Sequence, residues 1–512
     1  MQTASRQVDP DKTPVKESEG DDLNQPARLA SFEQTDSKRR FPRNQFFVNT
    51  QESTDEVAEE LPKGETLQLN SVIQAVFNHY PEIDITLGEI EVARGKYLSA
   101  QGSFDQVVDS HGISQPLGFY ETNRFGVGFN QPLFNGGELY STYRIGRGNF
   151  EPWFGERETN EAGEFKAGFS IPLLKDSQID KRRAKLFGAD FMIDRTESDV
   201  DSRILLIRRF ATQVYWEWVA SGAAVRVQQR LLELAQNRVD KINIRVEKGD
   251  LADLAKIDND RFIAKRKNDL IKARRMLEKS AIKLSIFWRN QNGNPIVANG
   301  SQVPDSFPKA FRIEEDRLNQ DIAKALAVRP EFNVLNAERE KTLVDLGYAN
   351  NLTLPKLDLK GFAGQDIGGL TSSKGDKQPL ELQIGVLASV PLQRREGLGK
   401  IQQAQGKLAQ IDGKIQLTGD KIKIEVQDAA SAVNAAFDSI IQSRENVKLA
   451  LESLRLGNLQ FDKGNIDLIS LNIYETSVAA AQLQLLEAQL KFFIYQAIYE
   501  NAIRANAQDD QP

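Results

Sequence analysis

Prolines leave two long stretches of this 512-residue chain untouched: none lies between Pro172 and Pro295, and none between Pro391 and Pro512. A proline inside a helix costs about 3 kcal/mol and breaks it, so each gap can be helical for about 120 residues. Both gaps are rich in Ala, Leu, Ile, Gln, Lys, Arg and Glu. Both open on nearly the same words, Ser170-Ile171-Pro172-Leu173 and Ser389-Val390-Pro391-Leu392. The agreement continues near the middle of each gap, where Glu247-Lys248-Gly249-Asp250-Leu251 answers Asp462-Lys463-Gly464-Asn465-Ile466, with Leu254 and Ile469 three residues on. Upstream, Tyr80-Pro81-Glu82-Ile83 answers Arg329-Pro330-Glu331-Phe332. The copies stand 249 positions apart at that landmark and 219 at Ser-x-Pro-Leu, so the first carries 30 more residues between the two. The period far exceeds that of a solenoid and describes two tandem halves.

Within the gaps the apolar residues keep a helical beat. Ile207, Phe210, Val214, Trp218, Ser221 and Val225 begin a series that runs to Val246 in steps averaging about 3.5 residues, and Ile401, Ala404, Leu408, Ile411 and Ile415 begin another. Such a repeat held this long is coiled-coil packing. From Asp176 to Val246 is about 70 residues, which at 1.5 Å each makes one helix, or two end to end, on the order of 100 Å long. No compact domain contains that. At Lys248-Gly249 and Lys463-Gly464 a left-handed glycine can end the helix, and Asp250 or Asn465 can start a returning one. Long helical hairpins are expected over 176–288 and 395–505.

Just before each hairpin the period changes to two. Phe165, Ala167, Phe169 and Ile171 alternate with Glu164, Lys166, Gly168 and Ser170, as Leu380, Leu382, Ile384 and Val386 do with Glu381, Gln383 and Gly385. Each run is about nine residues, the length and pattern of a tilted membrane strand with one lipid face and one wet face. Each has an upstream partner, around Phe104 to His111 and around Leu357 to Phe362. The 30 extra residues add strand-like text at Phe125 to Phe129 and a turn at Phe134-Asn135-Gly136-Gly137. The expected organisation is a polar arm at 1–64, and repeat 1 at 65–290 with a helix and strands in 104–173. A linker follows at 291–317, then repeat 2 at 318–505 with a helix and strands in 356–390, and a tail at 506–512.

Composition narrows the function. Lys plus Arg number 66 against 72 Asp plus Glu, a net charge of −6, which gives no support for nucleic-acid binding. There is no Cys, which excludes thiolate chemistry, and His79 and His111 are the two His, which leaves little room for a histidine metal cluster. A mean hydropathy of −0.45 with no run of 18 apolar residues excludes a helical membrane bundle but not a β-barrel. Gly126-Val127-Gly128 sits in an alternating run with no helix after it and is not a nucleotide loop. No P-loop, Gly-x-Ser-x-Gly, His-Glu-x-x-His or plausible triad is present, so neither catalysis nor a cofactor is expected. The polar arm has no apolar periodicity and is expected to be disordered. It has no run of 7 to 15 apolar residues to serve as an export signal, so either the protein is cytoplasmic or this chain lacks its signal.

A helix ending near Tyr-Pro-Glu, strands, then a long helical hairpin, all stated twice, resembles the TolC-like outer-membrane efflux proteins. Pro81-Glu82-Ile83, the two Ser-x-Pro-Leu words, Lys248-Gly249 and Lys463-Gly464 carry the resemblance over about residues 65–505. It implies a mostly α protein with β, assembled as a homotrimeric α-barrel across the periplasm. Four strands from each chain would form a 12-stranded β-barrel in outer-membrane lipid. It also implies tips, here Lys248, Gly249, Asp250, Leu251, Lys463, Gly464, Asn465 and Ile466, that meet a periplasmic adaptor protein. That adaptor is coupled to an inner-membrane pump or ABC exporter. Members of the family often place Asp at the sixth and ninth positions after the tip glycine. Here those hold Ala255 and Asp258 in one copy and Ser470 and Ile473 in the other. Asp250, Asp253, Asp258 and Asp260, with Ser470, are the remaining candidates for a periplasmic aperture, although charges so placed ordinarily form a solvated helix face. The expected function is a passive exit duct for efflux or type I secretion; the alternative is a cytoplasmic coiled-coil scaffold.

Overall fold

The computed structural model describes residues 65–150, 157–371 and 379–504; the expected arm at 1–64 and the tail at 506–512 lie outside them. Helices α1 (Leu69–His79) and α2 (Pro81–Gln101) lead into four strands, β1 (Val107–Gln115), β2 (Thr122–Pro132), β3 (Glu138–Gly148) and β4 (Glu164–Pro172). Then come α3 (Lys181–Gln236), α4 (Val239–Glu247) and α5 (Leu254–Leu284). Helices α6 (Glu315–Val328) and α7 (Pro330–Asn351), strands β5 (Lys356–Asp366) and β6 (Leu380–Ser389), and helices α8 (Arg395–Asp462) and α9 (Leu468–Ala502) complete the described chain. Pro81 and Pro330 each occupy the first turn of their helix, where the missing N–H is not needed.

The long helices begin and break for local reasons. The first starts at Lys181 rather than near 176, because Asp176 adopts φ 71° and the Asp180 carboxylate accepts from the Arg183 N–H at 2.8 Å as its N-cap. It is interrupted at Asn237 and Arg238, whereas α8 runs unbroken for 68 residues, about 100 Å. Helix α5 ends at Leu284 instead of 288, and Phe287 and Trp288 turn into the core.

Helices α7 and α9 each pack against both α3 and α8, forming a lane between the two long helices. Helix α2 covers the strand end of α3, where Arg203 pairs with Glu89 at 2.6 Å, and α5 covers its far end. One core runs across these lanes. Trp216 stacks on Phe493 with centroids 4.4 Å apart and on Phe307 at 5.6 Å, and Tyr215 donates its hydroxyl to the Leu67 carbonyl at 3.0 Å. Both tryptophans of α3 are therefore packing residues, and burying a side chain of this size contributes about 2–3 kcal/mol. The segment 291–317, expected as a linker, is part of this core: Ala298, Val303 and Ile313 are buried and Phe307 joins the ring stack.

The strands make one antiparallel sheet in the order β1-β2-β3-β4-β5-β6. This corrects the expected pair in the first half, whereas the pair expected in the second half forms, Leu357 to Phe362 of β5 lying beside β6. Phe104 closes a 3-10 turn, so β1 begins at Val107, and it pairs with β2 rather than with the 165–171 strand. Strand β4 pairs with β3 on one side and β5 on the other, joining the two halves of the chain. The 30 extra residues supply β2 and β3, so the described sheet has six strands where the resemblance implies four.

Candidate functional site

At the end of the helices distant from the sheet, two reversals share one geometry. Gly249 and Gly464 both take φ 78°, open to glycine at no steric cost. The Gly249 N–H donates to Val246 at 2.9 Å and the Asp250 N–H to Arg245 at 2.8 Å; Gly464 donates to Phe461 at 3.0 Å and Asn465 to Gln460 at 2.9 Å. These are Schellman caps twice over. The returning helices are started by neither Asp250 nor Asn465. Asp467 caps α9, its carboxylate accepting from the Ser470 N–H at 2.8 Å, and these hydrogen bonds hold it below the usual carboxylate range. Asp253 stands at the matching place on α5 without a side-chain cap bond.

Lys248, Gly249, Asp250, Lys463, Gly464 and Asn465 are exposed. Leu251 and Ile466, expected to be presented outward, are half-buried. They pack on a small tip core of Ile242, Phe262, Phe461, Leu468 and Leu471, because apolar residues on two adjacent reversals cover each other before they meet anything else. The apolar side chains the tips do expose lie a turn further on: Leu254 (61%) and Ile257 on α5, Ile469 (46%) and Ile473 on α9.

The acidic candidates do not form one cluster. Asp253 and Asp260 are exposed, Asp258 is half-buried with Arg261 at 3.7 Å, and Ser470 is engaged through its backbone in the α9 cap.

Just above the tips lies an ionic knot that sequence reasoning missed. Glu475 of α9 is buried among Arg238, at the α3–α4 break, and Arg266 of α5. Arg238 reaches it at 2.7 Å; Arg266 also donates to Asn472 at 2.7 Å and to the Leu231 carbonyl at 2.9 Å. Burial pushes the Arg266 guanidinium down, Glu475 pulls it back up, and the neighbouring Arg238 opposes its charge. Two cations share one anion, and Arg238 Nε and Nη1 find no partner among the described residues. A signal was present: Phe262, Arg266 and Leu270, like Leu471, Glu475 and Val478, place a charge in step with an apolar stripe.

At the other end, strand register sorts the sheet into two faces. Opposed residues lie on the same face, so Phe165, Ala363 and Leu382 share a face with Tyr143, Val127 and Val108. Leu382 and Ile384 are 71% and 68% exposed there. The opposite face carries Asp109, His111, Arg124, Arg144, Glu164, Lys166 and Gln383. On it Arg144 pairs with Glu164, and Arg157 reaches Glu381 at 2.7 Å. Glycines on the polar face make room for the larger groups: a Cβ on Gly126 would meet the His111 ring at 2.4 Å, and one on Gly128 would meet Asp109 at 2.7 Å.

No protein-family profile and no curated protein matches the sequence. Solved structures do match the fold. The open-state MtrE outer membrane channel of Neisseria gonorrhoeae is 15% identical with a TM-score of 0.60, covering 91% of this chain and 99% of that one. The outer membrane protein VceC from Vibrio cholerae is 14% identical with a TM-score of 0.60, covering 85% and 96%. The Campylobacter jejuni CmeC outer membrane channel is 14% identical with a TM-score of 0.58, covering 91% and 95%. The chain is similar to these proteins over nearly their whole length, and it has the fold of outer-membrane channels.

Proposed function

We propose that this chain is a TolC-like outer-membrane exit duct, and not an enzyme. It acts as a homotrimer that passively conducts small molecules or exported protein from the periplasm to the outside. The observation that supports this most strongly is the union, in one chain, of a sheet with one apolar and one polar face and helical hairpins about 100 Å long. A sheet of that kind suits a wall between lipid and water, and the helices suit a tube across the periplasm; a cytoplasmic scaffold needs no apolar sheet face. The duplicated landmarks support two tandem halves as its plan. Lys248, Gly249, Asp250, Lys463, Gly464 and Asn465 form the docking tips for a periplasmic adaptor coupled to an inner-membrane pump or ABC exporter, with Leu251 and Ile466 supporting them from within. Asp253 and Asp260 face solvent as an acidic entrance, Asp258 being engaged by Arg261. Purified full chain reconstituted in planar lipid bilayers should give stepwise ion conductance and migrate as a trimer in mild detergent. A protein that stays soluble without detergent and opens no conductance would instead be a scaffold.

A further inference from the structure

We propose that β1 of one chain pairs with β6 of the next, so that three copies close one barrel of eighteen strands rather than twelve; this rests on the trimeric-duct reading above. Both strands are edges of the described sheet. Every residue of β1 is exposed, as is all of β6 except Glu381, and each leaves a row of backbone donors and acceptors unpaired. In hydrocarbon such an edge is not tolerated, and closure is the remedy.

A second copy of the chain fits this edge in direction and in face. The sheet is an antiparallel meander with an even number of strands. Strand β1 leaves the helical end and β6 returns to it, so the next copy's β1 lies antiparallel beside β6. Such a head-to-tail contact forms a ring when the rotation closes. The apolar face uses even-numbered residues on both edges, Val108 on β1 and Leu382, Ile384 and Val386 on β6, while Asp109, His111, Glu381 and Gln383 share the polar face. Even must therefore meet even, because a one-residue slip would turn Ile384 into the wet face.

All six strands belong to this wall. Val107 to Gln115 are paired residue for residue with β2, and Thr122 to Pro132 with β3, so neither hairpin is peeled away as a plug. Girth agrees. Four helix lanes at about 9 Å each span roughly 36 Å of circumference per chain. Six strands about 4.8 Å apart and tilted about 40° span roughly 38 Å, whereas four would span only about 25 Å. An eighteen-stranded wall therefore meets the helical tube without narrowing. Its cross-section is about twofold that of twelve strands, since diameter grows roughly linearly with strand number.

The absence of cysteine makes the test clean. Ser110→Cys on β1 is combined in the full chain with cysteine at Leu380, Leu382, Ile384, Val386 or Ala388 on β6, and each double variant is oxidised in proteoliposomes. Ser141→Cys on β3 is combined with the same positions. The proposal expects at least one β1–β6 combination to give disulfide-linked trimers, at least tenfold more than any β3–β6 combination. Cross-links from β3 to β6 would mean that β1 and β2 lie outside a twelve-stranded wall. Conductance without either cross-link would also overturn the eighteen-stranded ring, while leaving the duct standing. No conductance and no cross-link would remove both.

Discussion

Among the described residues, Glu475 is the acid that ties the two halves of the chain together ionically near the tips. Its carboxylate is buried and is met by Arg238 and Arg266, and among the described residues no other acid pairs with either arginine. A buried ion pair adds little over an apolar substitute, but losing one partner leaves an unpaired charge and costs about 3–5 kcal/mol. Glu475→Gln would leave two guanidinium groups facing each other. Limited proteolysis of the variant should cut around Arg238 at least tenfold faster than wild type, with the sheet end unaffected. Equal protection would show that the knot contributes nothing to the closure of the tips.

At the scale of the element, each reversal separates two jobs. The Schellman caps and the tip core of Ile242, Phe262 and Phe461 hold the hairpin ends together, so Leu251→Asp or Ile466→Asp would damage the tip itself. Leu254 and Ile469 stand outside that core and expose apolar area to solvent, and six such tips in a trimer would gain from multivalency. The Leu254→Asp, Ile469→Asp double variant should keep wild-type thermal stability within about 1 kcal/mol, as surface substitutions do. It should also lose at least tenfold in adaptor cross-linking and in export. Normal export by this variant would leave the reversals as turns only. The Lys-Gly caps were legible in the sequence because a cap is local. The burial of Leu251 and Ile466 was not, because it depends on one reversal lying against another 215 positions away.

For the whole molecule read as a duct, the decisive property is which face of the sheet would meet lipid. Ile384 lies on the apolar face and Gln383 on the polar one. A charge on the lipid face near the midplane costs about 2–4 kcal/mol. Ile384→Arg should therefore reduce the yield of inserted protein roughly tenfold or more, whereas Gln383→Arg should insert normally and shift ion selectivity toward anions. Equal insertion of the two, measured by density-gradient flotation of liposomes, would contradict a barrel wall.

The sequence by itself determined the elements whose physics is local or periodic. Proline-free 3.5-residue stripes dictated long helices, alternation at Phe165 to Ile171 and Leu380 to Val386 dictated strands with two unlike faces, and glycine after lysine dictated the reversals. Even the extra strand text at Phe125 to Phe129 could be read from alternation alone. What only the tertiary structure decided is who pairs with whom. Strand β4 chose β3 and β5, and β1 was left at an edge, because backbone hydrogen bonding is blind to sequence and register is settled by the turns and faces of the complete sheet. Arg238, Arg266 and Glu475 likewise became a site only when three helices brought them within hydrogen-bond reach, since a charge finds its partner through space and not along the chain.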